Sequence, residues 1–83
     1  MTVNDLRDEL IRRDVPSDAF DLDGGHLSER YTLRNDSLGW HVYYSERGLE
    51  TGIKHFSQED DACNYFMNLI DRDDDIRSLR GDP

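Results

Sequence analysis

Residues 40–66 constrain the fold of this chain more than any other stretch. They contain the only Trp, three of the four Tyr and two of the three Phe. Two segments in this stretch alternate as strands do, and a helical pattern follows them. An 83-residue chain can bury only a small core. We therefore expect a single domain organised around this stretch, with its function carried on the surface.

Three segments predict the strands of an antiparallel meander. Residues 30–34 and 40–45 alternate apolar and polar side chains, and residues 51–56 are the third predicted strand. Residues 35–39 and 46–50 have turn composition. Consecutive strands joined by short turns pair antiparallel. The order of elements then predicts one three-stranded sheet.

The third strand has an irregular pattern. Ile53 and Phe56 are three residues apart and would point to opposite faces of a regular strand, so either a bulge separates them or Phe56 has already left the sheet.

The second strand has two faces with different chemistry. The pattern places Trp40, Val42 and Tyr44 on the core face and His41, Tyr43 and Ser45 on an opposite, wetter face.

A helix is predicted on each side of the strands. Residues 3–14 carry an apolar stripe, with Thr2 and Asp5 as a capping box and Pro16 as the stop. Ser57 is the predicted cap of the second helix, whose first turn is acidic. Its stripe consists of Ala62, Tyr65, Phe66, Leu69 and Ile70.

These elements predict an α+β fold of two layers, in the order helix, three strands, helix. Residues 1–70 form the predicted domain, and residues 71–83 form a polar, acidic tail that we expect to be disordered. Residues 15–28 are a predicted connection anchored by Phe20, Leu22 and Leu27, with a turn at Gly24-Gly25. The predicted core comprises Leu6, Leu10, Leu33, Trp40, Val42, Tyr44, Phe56, Tyr65, Phe66 and Leu69.

The charge of the chain is strongly negative. Nineteen Asp and Glu oppose ten Lys and Arg, a formal net charge of −9. This argues against nucleic acid and anionic membranes as partners and favours a basic protein, although acidity can also serve solubility alone. Cys63 is the only cysteine, and no apolar run suggests a signal peptide or membrane span. The sequence predicts a cytoplasmic protein.

The sequence indicates neither a catalytic site nor a metal-binding site. Asp71, Asp73 and Asp75 are spaced like the start of a calcium-binding EF loop, but Ile76 stands where that loop needs glycine. The histidines at 26, 41 and 55 have no ligand spacing, and Cys63 lies beside the helical stripe as a small apolar residue does. We expect no enzyme activity, no cofactor and no metal.

A partner-binding surface is the remaining kind of site. Exposed Tyr and Arg are common at binding hot spots, although a half-exposed strand tyrosine can also simply support cross-strand pairs. The candidate contact residues are His41, Tyr43, Glu46, Arg47, Glu50, Asp60 and Asp61.

Two segments together resemble a known class of proteins. They are Trp40-x-Val-Tyr-Tyr-x-Glu-Arg-Gly48 and Phe56-x-x-Glu-x-x-Ala-Cys-x-Tyr-Phe66. The pattern is similar to that of small acidic immunity proteins encoded beside polymorphic and contact-dependent growth inhibition toxins of bacteria. Val15-Pro16 and Gly24-Gly25 fit more loosely, so the resemblance covers roughly residues 15–70.

The resemblance implies a cytosolic protein that neutralises a cognate toxin by stoichiometric binding. The implied partner is a basic C-terminal toxin domain, a nuclease or an enzyme that degrades a nucleotide cofactor, and the chain itself would be a monomer or a weak dimer. Two alternatives stay open. One is an acidic nucleic-acid mimic that blocks a DNA-binding protein, and the other is a small accessory protein.

Overall fold

The computed structural model describes residues 1–24 and 29–73. The α+β class with an N-terminal and a C-terminal helix is confirmed, but the predicted three-stranded meander is wrong in detail, because the described residues form four strands. The elements are α1 (Val3–Arg12), a short 3-10 helix (Ser17–Ala19), β1 (Phe20–Asp21), β2 (Arg30–Asp36), β3 (Gly39–Glu46), β4 (Leu49–Phe56) and α2 (Glu59–Arg72).

The additional strand, β1, makes the sheet mixed rather than antiparallel. The order across the sheet is β1-β2-β3-β4. Phe20 pairs with Tyr31 and Asp21 with Thr32, in parallel register. The sequence placed these residues in a connection, since a strand of two residues is too short to show alternation.

A β-bulge resolves the parity problem in β4. Val42 pairs with Lys54, but Tyr44 pairs with Thr51, so β4 carries one extra residue between these pairs. Gly52 in this interval has φ +62°, a conformation that glycine adopts without strain. Phe56 remains in the strand, paired with Trp40.

The first helix has the predicted start and an earlier end. Thr2 is the N-cap and forms the capping box with Asp5. The helix ends at Arg12 rather than at residue 14. Asp14 takes φ +57°, and the N–H of Val15 donates to the carbonyl of Leu10 at 3.0 Å. The chain therefore leaves the helix before Pro16 could force it to do so.

The second helix begins one residue later than predicted. Its N-cap is Gln58, without a side-chain cap, so the assignment of Ser57 as the cap is wrong. Glu59 instead accepts a 2.9 Å hydrogen bond from the N–H of Val3, which ties the starts of the two helices together. The helix continues to Arg72, and residues 74–83, most of the predicted tail, lie outside the described residues.

The core lies between the helices and one face of the sheet. Trp40, Phe56, Tyr65 and Leu69 were predicted as core residues and are partly buried against it, while Tyr44 is half-buried beside Tyr31. Leu27 and Gly25 lie outside the described residues. The buried core comprises Leu6, Leu10, Val15, Leu22, Leu33, Val42, Ala62, Cys63, Phe66, Met67 and Ile70.

Candidate partner-binding surface

The β3–β4 hairpin ends in a tight turn at Arg47-Gly48. Both residues have positive φ, 50° and 82°. This geometry matches the right-handed twist of the flanking strands, and it usually recruits Asn or Gly rather than Arg at the first position. The turn keeps Glu46, Arg47 and Glu50 together, as the sequence predicted, and it also exposes Leu49, 65% of whose surface is accessible.

Glu46 and Arg47 are available for contacts at this tip. Neither side chain forms an ion pair or hydrogen bond with the part of the chain that the structure describes. Leu49, which precedes Glu50 in the sequence, is a large apolar side chain that faces solvent. We call residues 46–50 the hairpin tip. It combines a free cation, an apolar anchor and a free carboxylate in five consecutive residues.

Glu50 is committed to a contact across the sheet. The guanidinium of Arg34 donates to its carboxylate at 2.7 Å and lies over the ring of Tyr43, 5.3 Å from the centroid. The hydrogen bond to Glu50 raises the pKa of Arg34. Burial raises the pKa of Tyr43. The Arg34–Glu50 pair therefore closes over Tyr43 and holds the hairpin against β2.

The face predicted to be wet is largely buried at its centre. Tyr43 is 2% exposed and His41 3%, so the expectation that they lie on an open face is wrong, while their role as contact residues stays a prediction. The segment that follows β1 runs so close to β2 that a Cβ on Gly24 would lie 2.9 Å from Cγ of Arg34. Tyr43 and His41 are buried because a layer of polar side chains from neighbouring strands covers this face. The alternation of residues within one strand cannot reveal such a layer. Its buried polar members are Asp21, Thr32, His41 and Ser45.

A chain of three polar groups runs through this layer. Nε2 of His41 lies 2.8 Å from Oδ1 of Asp36, and its Nδ1 lies 2.6 Å from Nδ1 of His55. The contact with His41, together with the N–H of Leu38, lowers the pKa of Asp36. From the sequence, the histidines at 26, 41 and 55 were considered together and show no ligand spacing. The cross-strand pairing of His41 with His55 was the signal that could have joined them.

Asp60 and Asp61 lie at the start of α2, away from the hairpin tip. The N-terminal ammonium of Met1 contacts Oδ1 of Asp60 at 2.6 Å, and this hydrogen bond lowers the pKa of Asp60. Asp61 is exposed. Because β4 runs from the hairpin tip to Phe56 before α2 begins, these carboxylates and Glu46 belong to opposite ends of the hairpin. The seven predicted residues therefore do not form one surface.

Half of the described Lys and Arg side chains form internal ion pairs. Arg7 contacts Asp23 at 3.3 Å. Glu9 receives both Arg12 and Arg13, and this lowers its pKa. Several exposed carboxylates have no such partner among the described residues, so the negative surplus of the chain faces solvent. They are Asp8, Asp14, Asp18, Glu29, Glu46 and Asp61.

A small cleft and a buried thiol are features of the described residues that bear on possible chemistry. A cleft of about 190 Å³ lies between α1 and β1, lined in part by Arg7, Phe20 and Asp21, and is smaller than the roughly 300–1,000 Å³ of typical ligand sites. Cys63 is fully buried, and burial raises its pKa to about 11. In residues 1–24 and 29–73, no group of three or more His, Cys, Asp or Glu is arranged to hold a metal.

Comparisons with protein-family models, curated proteins and solved structures gave no match. No helix within the described ranges has the length and apolar character needed to cross a membrane.

Proposed function

We propose that this chain is an immunity-type inhibitor, a small acidic domain that binds a basic toxin domain one to one in the cytoplasm and blocks it without catalysis. The observation that carries the proposal is the hairpin tip. There, Arg47 and Leu49 project beside Glu46, all three exposed and without a partner in the described part of the chain. Arg47 can supply directional hydrogen bonds to a partner, and Leu49 can supply apolar contact area.

The charge of the chain supports the choice of a basic partner. The formal net charge is −9, and four arginines, Arg7, Arg12, Arg13 and Arg34, already form ion pairs within the fold. The field felt by an approaching molecule is therefore negative. Such a field can raise association rates to roughly 10⁸–10⁹ per molar per second at low salt. A nuclease or an enzyme acting on a nucleotide cofactor would present the basic groove that this field attracts.

The size of the domain suits inhibition by occlusion. A standard interface takes about 800 Å² from each partner, roughly a seventh of the 5327 Å² surface of this chain. The hairpin tip alone is too small for this area. We therefore place the rest of the contact on the adjoining ends of β2 and β3, with the tip as its anchor.

Titration of the purified chain into the toxin domain encoded beside it tests this function. We expect one-to-one binding with a Kd below a micromolar, and rescue of growth when the two are produced together. Absence of binding with no rescue would contradict the proposal. Binding to an unrelated DNA-binding protein, abolished by competing duplex DNA, would instead favour the nucleic-acid mimic.

A further inference from the structure

The strongest unassigned feature is the meeting of two imidazole rings on β3 and β4. Nδ1 of His41 and Nδ1 of His55 lie 2.6 Å apart, and the rings stand nearly perpendicular, at 84°. Each neutral imidazole has one bare nitrogen that carries a lone pair. The 2.6 Å separation therefore fits a hydrogen bond in which one Nδ1 carries a proton and the other, bare Nδ1 accepts it.

Asp36 fixes which nitrogen of His41 is bare. Its carboxylate lies 2.8 Å from Nε2 of His41 and can only accept a hydrogen bond there when ionised, so Nε2 carries the proton. Nδ1 is left free to act as a ligand. A carboxylate on the distal nitrogen of a histidine is the arrangement that orients metal-binding imidazoles and raises their basicity.

From this convergence we propose that His41 and His55 form a two-histidine site for a divalent transition metal, with Asp36 as the positioning residue. In the metal-free chain a shared proton occupies the same space. Neutral imidazole nitrogen suits Zn²⁺, Ni²⁺ and Cu²⁺ rather than Mg²⁺ or Ca²⁺, which prefer oxygen. The net charge of −9 adds a general attraction for cations.

The metal requires a small adjustment of the rings. With Zn–N distances of about 2.0–2.1 Å and tetrahedral geometry, two ligand nitrogens lie about 3.3 Å apart. The present separation is 2.6 Å. His41 is buried, but His55 is exposed on β4, which lies at the edge of the sheet, so His55 can make the movement. Because the described residues offer no third ligand, water would complete the coordination.

Zinc titration of the full chain tests the site, with His26→Ala introduced in every variant so that only the pair contributes imidazole. Calorimetry and competition against a chromophoric chelator would measure the affinity. Heteronuclear spectra would show whether the rings of His41 and His55 respond to zinc. His55→Gln removes one ligand at an exposed position, and Asp36→Asn keeps both imidazoles while removing the orienting carboxylate.

We expect one zinc per chain with a Kd in the micromolar range, at least tenfold weaker binding in His55→Gln, and severalfold weaker binding in Asp36→Asn. Zinc should also raise the Tm of the parent chain but not that of His55→Gln. Zinc affinities equal within twofold in parent and His55→Gln would overturn the proposal. So would the absence of ring perturbation at millimolar zinc, and either result would leave a shared proton as the only occupant.

Discussion

The guanidinium of Arg34 lies across the ring of Tyr43 and reaches Glu50 on the far side at 2.7 Å. This one side chain covers a tyrosine on the middle strand and links two strands that are not neighbours in the sheet. Its Nε is buried without a hydrogen-bond partner, 3.6 Å from Oδ2 of Asp36. The contact explains why a sheet face with few apolar residues is still closed to water.

We expect Arg34→Ala to destabilise the fold by about 1–2 kcal/mol, because it removes both the contact with the ring and the ion pair with Glu50. Urea denaturation measures the change. Lys54→Ala is the matched control, since Lys54 is exposed and forms no ion pair within the described residues. An equal effect of the two substitutions would mean that Arg34 contributes only its charge.

A prediction about the hydrophobic core concerns Leu33, which is 1% exposed at the centre of β2. Leu33→Ala should cost about 2–5 kcal/mol, through lost apolar burial and the cavity left behind. Leu38→Ala deletes the same atoms at a position that is 85% exposed and should change stability by less than about 0.5 kcal/mol. Thermal and urea unfolding of the two variants would test the placement of both residues.

Cys63 should be chemically silent in the folded chain. It is fully buried, and its pKa of about 11 leaves almost no thiolate at pH 8. A disulfide reagent such as DTNB should react with it only at the rate of unfolding, and promptly in denaturant. Rapid reaction of the native chain, with stability unchanged, would contradict the buried position.

Acid should remove the contribution of Glu9 to stability. Hydrogen bonds from Arg12 and Arg13 lower its pKa in the folded state, so the unfolded chain takes up this proton first as the pH falls. The contribution is present above the unfolded pKa of about 4 and is lost as the pH falls through the folded value. Glu9→Gln should therefore lower Tm at pH 7, and its difference from the parent should disappear as the pH falls through the folded pKa of Glu9.

Asp8→Asn is the control for that experiment, since Asp8 neighbours Glu9 on α1 but forms no ion pair within the described residues. Its Tm should follow the parent across the same pH range. A Tm difference for Glu9→Gln that persists unchanged below the folded pKa of Glu9 would show that the glutamate acts through packing rather than through its charge.

Much of the fold was readable from local sequence. Three features depend only on residues a few positions apart in the chain, and the structure retains all of them. They are the capping box at Thr2, the alternation at Leu33 and the helical stripe through Phe66. Strand β1 and the earlier end of α1 were not readable, because they depend on pairing with Tyr31 and on the turn at Asp14. Local periodicity contains no information about either contact.

The candidate site was predicted less well than the fold, for a related reason. Alternation correctly placed His41 and Tyr43 opposite the apolar core, but it could not show that Arg34 and Glu50 would cover that face. Glu46 and Arg47 were correctly grouped by their turn. Leu49 was overlooked because its exposure depends on the edge position of β4.

Association kinetics between this chain and its proposed toxin partner provide the decisive test. The informative variant is Glu46→Lys with Leu49→Ser at the hairpin tip. Its control is Asp18→Lys with Leu38→Ser, which makes the same change in net charge and apolar surface elsewhere. We expect at least tenfold weaker binding and a flatter salt dependence for the tip variant alone. Equal losses in both variants, or binding that neither changes, would contradict the proposal.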